Sequence, residues 1–251
     1  MSSHLQIDAA TRDPDRVREL FDGIAPRYDV ANHLLSAGLD YLWRRRAANI
    51  VDAWNPKRVL DVATGTGDLA LVLQTQLPES EITGCDFSAG MLELATRKGL
   101  RKTAIADATS LPFPDASFDA VTIAFGLRNV NDRSTALKEF SRVLKDDGHL
   151  LVLDFSMPRP WLRASYRWYL HHLLPHIAGF ISGSREAYCY LGESIEVFPN
   201  GKVMCQLIAE NGFNNVVDLM LQAGIVTIYT AAKAGRINSP SATEPVTRSA
   251  M

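Results

Sequence analysis

Two glycines and an aspartate lie close together in the segment LDVATGTGD, residues 60–68. Gly65 and Gly67 allow the backbone to turn sharply and to approach a bound ligand, because neither carries a Cβ atom. Asp61 precedes them at the end of a predicted strand, where its carboxylate would repel a pyrophosphate and attract a cationic amino-acid group. The segment therefore predicts a loop for a nucleotide-type ligand, and Asp61 favours a positively charged one.

Two further aspartates end the next two predicted strands. Asp86 can accept two hydrogen bonds from ribose hydroxyls, and Asp107, followed by Ala108, is placed to meet an adenine edge. Carboxyl ends of parallel strands share one edge of a sheet, so Asp61, Asp86 and Asp107 together predict S-adenosylmethionine as the ligand. Two alternatives stay open. The glycine spacing also satisfies the dinucleotide fingerprint of an NAD-dependent oxidoreductase, and it would suit a plain tight turn.

Strands and helices alternate around these residues, which predicts an α/β fold with a mostly parallel sheet covered on both faces. Amphipathic spacing predicts N-terminal helices over about 13–54, the first of them starting at Asp13-Pro14. Near the C-terminus, residues 212–233 predict an antiparallel hairpin that turns at Ala223-Gly224. The remaining predicted elements are a strand that begins at 58, a second strand that ends near 106, two more strands over 119–126 and 149–156, and a helix over 134–144.

Composition narrows the class of protein further. The chain has 251 residues, of which 47% are hydrophobic and 22% charged, so it can bury a core. Its net charge of −2 supplies no broad basic surface, which argues against a nucleic-acid partner. Three widely spaced cysteines and the lack of a long apolar run predict a cytoplasmic protein. We expect a single domain over 1–233 and a disordered tail over 234–251.

Several runs of residues carry a family resemblance: DVATGTGD, CDFSAGML, DATSLPFPDASFD, TIAFGLRNV and RVLKDDGHLLVLDFS. They resemble the ubiquinone/menaquinone biosynthesis C-methyltransferase family, within the class I S-adenosylmethionine-dependent methyltransferases. The similarity extends from about residue 15 to 233. It implies a Rossmann-like seven-stranded methyltransferase sheet, and it implies cofactor contacts at Thr66, Asp86, Asp107 and Ala108.

The chain departs from the family pattern at two positions. Ala124 stands in TIAFG where the family often has serine, so one hydroxyl contact to the cofactor is absent. Ala63 stands where many methyltransferases have the first glycine of the turn, and we expect alanine to be tolerated there if φ is negative.

A long segment between the fifth strand and the hairpin, residues 157–200, predicts a helical lid. Its tryptophans, tyrosines and arginines, among them Trp161, Trp168 and Arg163, suit both an apolar ligand and a membrane interface. The resemblance implies a polyprenylated naphthoquinol substrate, so we expect peripheral contact with the cytoplasmic face of the membrane. A small helical subdomain with an ordinary core is the alternative, and a homodimer stays open. His172 and His176 have helical spacing but no third ligand at motif spacing, so we expect no metal.

The chemistry implied by the resemblance needs a quinol hydroxyl to ionise, because the phenolate places charge on the neighbouring ring carbon. Arg128, which follows the fourth strand, is the candidate to hold the developing oxyanion. Asn129 and the N-terminal Tyr28 are candidates to position the ring. A general base could be His33, Asp29 or a water molecule, and the sequence does not choose among them. Demethylmenaquinol is the favoured substrate, and the benzoquinol of ubiquinone synthesis is the alternative.

Overall fold

The computed structural model describes residues 36, 38–175 and 185–235, giving only the backbone of residues 185–189. The predicted helix that starts at Asp13-Pro14, the residues Tyr28, Asp29 and His33, and all but the first two residues of the predicted tail lie outside the described residues. The C-terminal part of the predicted N-terminal helical region is confirmed as one helix.

A seven-stranded sheet with the order β3-β2-β1-β4-β5-β7-β6 forms the centre of the fold. Strands β1 to β5 are parallel, and β7 pairs antiparallel with both β5 and β6. The predicted mostly parallel sheet with a C-terminal hairpin is therefore confirmed. The strands are β1 Arg58–Val62, β2 Glu81–Asp86, β3 Thr103–Ile105, β4 Phe118–Ala124, β5 Leu144–Phe155, β6 Phe213–Leu221 and β7 Val226–Lys233.

The described helices cover the two faces of the sheet and one of its edges. They are α1 Leu39–Ala53, α2 Asp68–Gln76, α3 Ala89–Arg97, α4 Arg133–Val143, α5 Pro160–Trp168, α6 Arg185–Val197 and α7 Lys202–Glu210. Short 3-10 turns follow β4 at Leu127–Asn129 and β6 at Gln222–Gly224, and a π-helical turn, Tyr169–Leu173, continues α5.

Strand β5 shows why the helices pack on both faces. Side chains alternate across a strand, so Leu150 and Val152 join Phe140 of α4 in one apolar cluster, while Leu151 and Leu153 join Trp43 of α1 in the other. Each fully buried side chain of this size stabilises the fold by about 1.5–3 kcal/mol. The core thus holds the carboxyl ends of β1, β2 and β4 at one edge.

Strand β5 begins at Leu144, earlier than the predicted start at residue 149. The sequence Lys145-Asp146-Asp147-Gly148 has the composition of a turn, but in the structure it belongs to β5 and forms an irregularity in the pairing with β4. Phe118 pairs with Leu144 whereas Ala120 pairs with His149, so β5 contains extra residues, as in a β-bulge, opposite this part of β4.

The described part of the lid has a small core of its own. Tyr166, Leu170, Leu174 and Ile195 are buried together, and they pack against Phe155 at the end of β5. This cluster attaches the lid to the edge of the sheet where the strands end. No helix in the described ranges is both long enough and apolar enough to span a bilayer.

Candidate active site

A cavity of about 950 Å³ lies between the carboxyl ends of the central strands and the lid. It brings together the predicted cofactor and catalytic residues that the structure describes, with the exception of Gly67, which is not in its wall. These lining residues are Asp61, Gly65, Thr66, Asp86, Asp107, Ala108, Arg128 and Asn129. Two other predicted catalytic residues, Tyr28 and His33, lie outside the described residues.

The two glycines of the turn meet different requirements. Gly65 has φ +56°, and a Cβ built there would meet no atom within 4 Å, so its backbone borders open space in the cavity wall. Gly67 has φ +85°, and a Cβ there would lie 3.0 Å from the Cβ of Ala95 on α3. Gly65 therefore leaves room for a ligand, whereas Gly67 permits close packing of α3.

The condition of a negative φ at Ala63 is not met in the structure. Ala63 has φ +50°, in the left-handed region that non-glycine residues rarely adopt. Its neighbour Thr64 donates its backbone N–H to the carbonyl of Cys85 at 2.9 Å, which ties the turn to the end of β2. The tertiary structure thus imposes on alanine the conformation that a glycine would adopt without strain.

Asp61 is almost completely buried at the end of β1. Its two carboxylate oxygens accept hydrogen bonds from the hydroxyls of Thr64 and Thr122, both at 2.6 Å. Burial raises the pKa of Asp61 to about 6, although the two threonines and the positive charge of Arg44 oppose the shift. At neutral pH the carboxylate is thus mostly ionised, and a cation in the cavity would hold it so.

The carboxylate of Asp86 is oriented by the backbone around it. Gly65 N–H donates to Oδ2 at 2.8 Å, and Ser88 N–H donates to Oδ1 at 2.9 Å. These two backbone donors fix the direction in which the carboxylate of Asp86 faces the cavity, and a carboxylate oxygen can accept more than one hydrogen bond. Asp107 is more exposed, and its Oδ1 accepts from the backbone N–H and the hydroxyl of Thr109, both at 2.7 Å.

Thr66 belongs to a polar network beside the turn. Lys98 Nζ donates to the Thr66 hydroxyl and to Asp68 Oδ1, each at 2.9 Å. Asp68 also forms an ion pair with Arg44 Nη2 at 3.2 Å. The hydroxyl predicted to meet the cofactor is therefore held by a lysine.

Arg128 lies in the 3-10 turn after β4 and is nearly as buried as the aspartate it pairs with. Its Nη1 donates to Asp154 Oδ1 at 2.8 Å, and its backbone N–H donates to Asp154 Oδ2 at 3.1 Å. Nη1 also donates to the carbonyl of Phe125. Most arginine side chains form their ion pairs at the protein surface. The structure instead shows a buried pair in the cavity wall, so the arginine brings its own counter-charge to the site.

A pair of aromatic rings that was not predicted from the sequence lies in the cavity wall. Phe125 and Phe155 lie with centroids 4.8 Å apart. The guanidinium carbon of Arg44 lies 5.5 Å from the Phe125 centroid, and that of Arg128 lies 5.4 Å from the Phe155 centroid. Two buried cations therefore flank the aromatic pair, Arg44 near the glycine turn and Arg128 towards the lid. The sequence did contain a sign that Arg44 is buried, because this charged residue follows Trp43 and falls on the apolar face of α1.

The lid side of the cavity is mostly apolar. Tyr166 and Tyr169 have rings 6.1 Å apart, and both line the cavity with Leu170 and Leu174. Burial raises the pKa of the Tyr166 hydroxyl, and the nearby charge of Arg128 opposes that shift only in part. Tyr166 is therefore a neutral phenol near Arg128 at physiological pH.

Comparison with known proteins assigns the chain to a family. The model of the ubiE/COQ5 methyltransferase family matches residues 9–233. The chain belongs to this family. The predictions of a methyltransferase, of its sheet and of S-adenosylmethionine as methyl donor are confirmed.

Curated relatives of the ubiE/COQ5 family match most of the chain. A demethylmenaquinone methyltransferase of Thermus thermophilus is 47% identical over 216 residues, covering 84% of this chain and 98% of the relative. A ubiquinone/menaquinone biosynthesis C-methyltransferase of Geotalea uraniireducens is 44% identical over 232 residues, covering 89% and 98%. Among solved structures, a SAM-dependent methyltransferase of Thermotoga maritima superposes with a TM-score of 0.62 at 21% identity, covering 86% of this chain and 98% of that one.

The lining of the cavity fits the methyl donor of the ubiE/COQ5 family. Gly65 borders open space, Asp86 lines the cavity as a carboxylate oriented by backbone donors, and Asp61 offers a buried carboxylate to a cation. Sequence reasoning favoured the same donor over NAD because of Asp61, whose charge would repel a pyrophosphate. Family membership agrees with that choice.

Proposed function

We propose that the chain transfers a methyl group to a ring carbon of a polyprenylated quinol, with demethylmenaquinol as the preferred substrate. The single observation that carries this proposal is the continuity of the cavity. One space connects the polar glycine turn to an apolar lid, so a cationic methyl donor and a hydrophobic ring can lie side by side. The relatives named demethylmenaquinone methyltransferase support the naphthoquinol over the benzoquinol.

We propose that the methyl donor is held by the residues at the glycine turn. Asp86 would receive the ribose hydroxyls, Asp107 and Ala108 would border the adenine, and Asp61 would face the cationic part. When bound, S-adenosylmethionine supplies an electrophilic methyl group carried by a positively charged sulfur.

Arg128 would act on the quinol rather than on the donor. The ring carbon must become nucleophilic before transfer, and ionisation of the neighbouring hydroxyl achieves this by placing negative charge on the ring. The carbon then gains the methyl group and loses its proton. Because Asp154 already compensates Arg128, the guanidinium would stabilise the oxyanion through oriented hydrogen-bond donors more than through net charge.

Asn129 and the lid would position the ring. The Asn129 amide lies in the cavity wall beside Arg128, and Tyr190 of α6 approaches its Oδ1 at 3.4 Å. The apolar side chains of the lid would exclude water, which favours a transfer in which opposite charges are neutralised. The predicted roles of Tyr28 and His33 stay predictions, as does the choice between His33, Asp29 and water as base.

We also propose that the outer face of α5 rests on the membrane that holds the prenyl tail. Trp161 and Trp168 are 72% and 59% exposed, whereas Tyr166 on the opposite face is buried over the cavity. The helix thus has one apolar face towards the substrate site and two tryptophans towards solvent. Tryptophan side chains favour the interface between water and lipid, where one end of the ring is wet and the other apolar.

The substrate proposal is tested by incubating the protein with labelled S-adenosylmethionine and with reduced naphthoquinone and benzoquinone analogues in separate reactions. We expect faster labelling of the naphthoquinol. Preferential labelling of the benzoquinol would favour the alternative substrate of ubiquinone synthesis, and labelling of neither would contradict the proposal.

A further inference from the structure

Arg44 is a buried cation whose position is explained neither by the hydrophobic core nor by the quinol chemistry. It lies on the same face of α1 as Trp43, Ala47 and Ala48, all of which are almost fully buried. A charged side chain on such a face is costly unless it is paired. Arg44 reaches past the apolar contacts of its helix and lines the cavity instead.

Two aspartates hold Arg44 in place from different helices. Asp40, one turn earlier on α1, pairs with Nη1, and Asp68, at the start of α2, lies 3.2 Å from Nη2. Ser36 in turn donates to Asp40 Oδ1 at 2.6 Å, and Lys98 pairs with Asp68 at 2.9 Å. These contacts fix the direction of the guanidinium before any ligand enters.

The same region of the cavity contains an anionic group suited to the opposite charge. Asp61 and Arg44 line the same cavity, and the charge of Arg44 favours the ionised form of Asp61. Gly65, whose N–H donates to Asp86 at 2.8 Å, lies in the same wall. A buried cation and a buried anion that line one wall are complementary to a zwitterion. An α-amino acid group, with its ammonium and its carboxylate, is such a zwitterion.

We propose that Arg44 binds the α-carboxylate of the amino-acid part of the methyl donor, while Asp61 faces its ammonium group. Arg44 is thus a binding residue for the end of the donor opposite to the adenine. The assignment rests on S-adenosylmethionine as the donor, but it is independent of which quinol is methylated. Asp40 and Asp68 are positioning residues that orient the guanidinium.

The test compares two product analogues by calorimetry. S-adenosylhomocysteine carries both the ammonium and the carboxylate, whereas its decarboxylated analogue keeps the ammonium and the adenosine but lacks the carboxylate. We expect the native protein to bind S-adenosylhomocysteine about 10- to 100-fold more tightly, the range for one charge-assisted hydrogen bond. Equal affinities for the two analogues would overturn the inference without any variant.

Arg44→Gln identifies the group responsible. The variant should bind the decarboxylated analogue within about threefold of the native protein and should lose the preference for S-adenosylhomocysteine. Arg45→Gln is the matched control, because Arg45 is the next residue of α1 and is exposed, and it should keep the full preference. An Arg44→Gln protein that keeps the native preference, or that binds both analogues more weakly by the same factor, would contradict the assignment.

The same titrations separate the inference from the proposed function. Failure of the native protein to bind either analogue would contradict the use of this methyl donor. Native binding with no preference would leave the donor in place and overturn only the role of Arg44.

Discussion

Arg128 and Asp154 form a buried pair whose removal should affect folding and catalysis to different extents. The side chains are 3% and 0% exposed, so replacing one partner leaves the other charge buried. The usual cost of such a change is about 3–5 kcal/mol of unfolding free energy. In Arg128→Met, the Asp154 carboxylate keeps two backbone donors, the N–H groups at positions 128 and 155, so we expect a cost of about 3 kcal/mol.

The double variant Arg128→Met/Asp154→Asn separates the two effects. The amide oxygen introduced at position 154 would still accept from one of the two backbone N–H groups, and no buried charge would remain, so part of the lost stability should return. Turnover should not return, because the oriented guanidinium is absent from both variants. We expect turnover to be about 10²–10³ times lower than in the native protein, the usual loss for one oxyanion donor.

Urea denaturation and single-turnover methylation, measured on the four proteins of the cycle, would test this prediction. Calorimetry with S-adenosylhomocysteine serves as the control, and the affinity should change little across the cycle. Native turnover in a stable double variant would refute the catalytic role of Arg128. Loss of cofactor binding in Arg128→Met, in a protein that remains folded, would refute the separation of donor and quinol sites.

Three further predictions concern the donor site, the glycine turn and the lid. The affinity for S-adenosylmethionine should fall as the pH drops below about 6, because Asp61 then gains a proton and loses its charge. By calorimetry, Asp61→Asn should bind more weakly and its affinity should depend less on pH. A native affinity that stays constant from pH 5 to 8 would contradict the role of Asp61. Gly67→Ala should lower the unfolding free energy by about 1–3 kcal/mol, because the added Cβ meets Ala95 at 3.0 Å on a backbone with positive φ; unchanged urea denaturation would contradict this packing argument. Co-sedimentation with anionic vesicles should fall when Trp161 and Trp168 are both replaced by serine, and a native protein that never sediments would contradict the membrane proposal.

The sequence predicts much of the scaffold because the central strands are short apolar runs bounded by turn residues. The run HLLVLDFS reads as a buried strand, and Leu150 to Leu153 do fill both faces of the sheet. The predicted start of β5 at residue 149 was wrong, because the polar residues from Lys145 to Gly148 have the composition of a turn. Only the pairing with β4 decides that they continue the strand.

The donor site was predictable where its residues follow directly from strand ends, as for Asp61 and Asp86. The pairings of Arg44 and Arg128 were not, because they depend on contacts between separate elements. Arg44 meets Asp68 only when α1 packs against α2, and Arg128 meets Asp154 only when β4 and β5 lie side by side. A lone aspartate in the apolar run of β5 was the available sign that a buried cation lay opposite.

The oxidation state of the acceptor ring decides whether methyl transfer proceeds through an ionised quinol. Only the reduced ring has a hydroxyl whose ionisation activates the neighbouring carbon. With labelled S-adenosylmethionine and a short-chain demethylmenaquinone analogue, we expect carbon-bound label when a reductant is present and none when the ring stays oxidised. Equal labelling of the oxidised quinone, or label attached to oxygen in place of carbon, would contradict it.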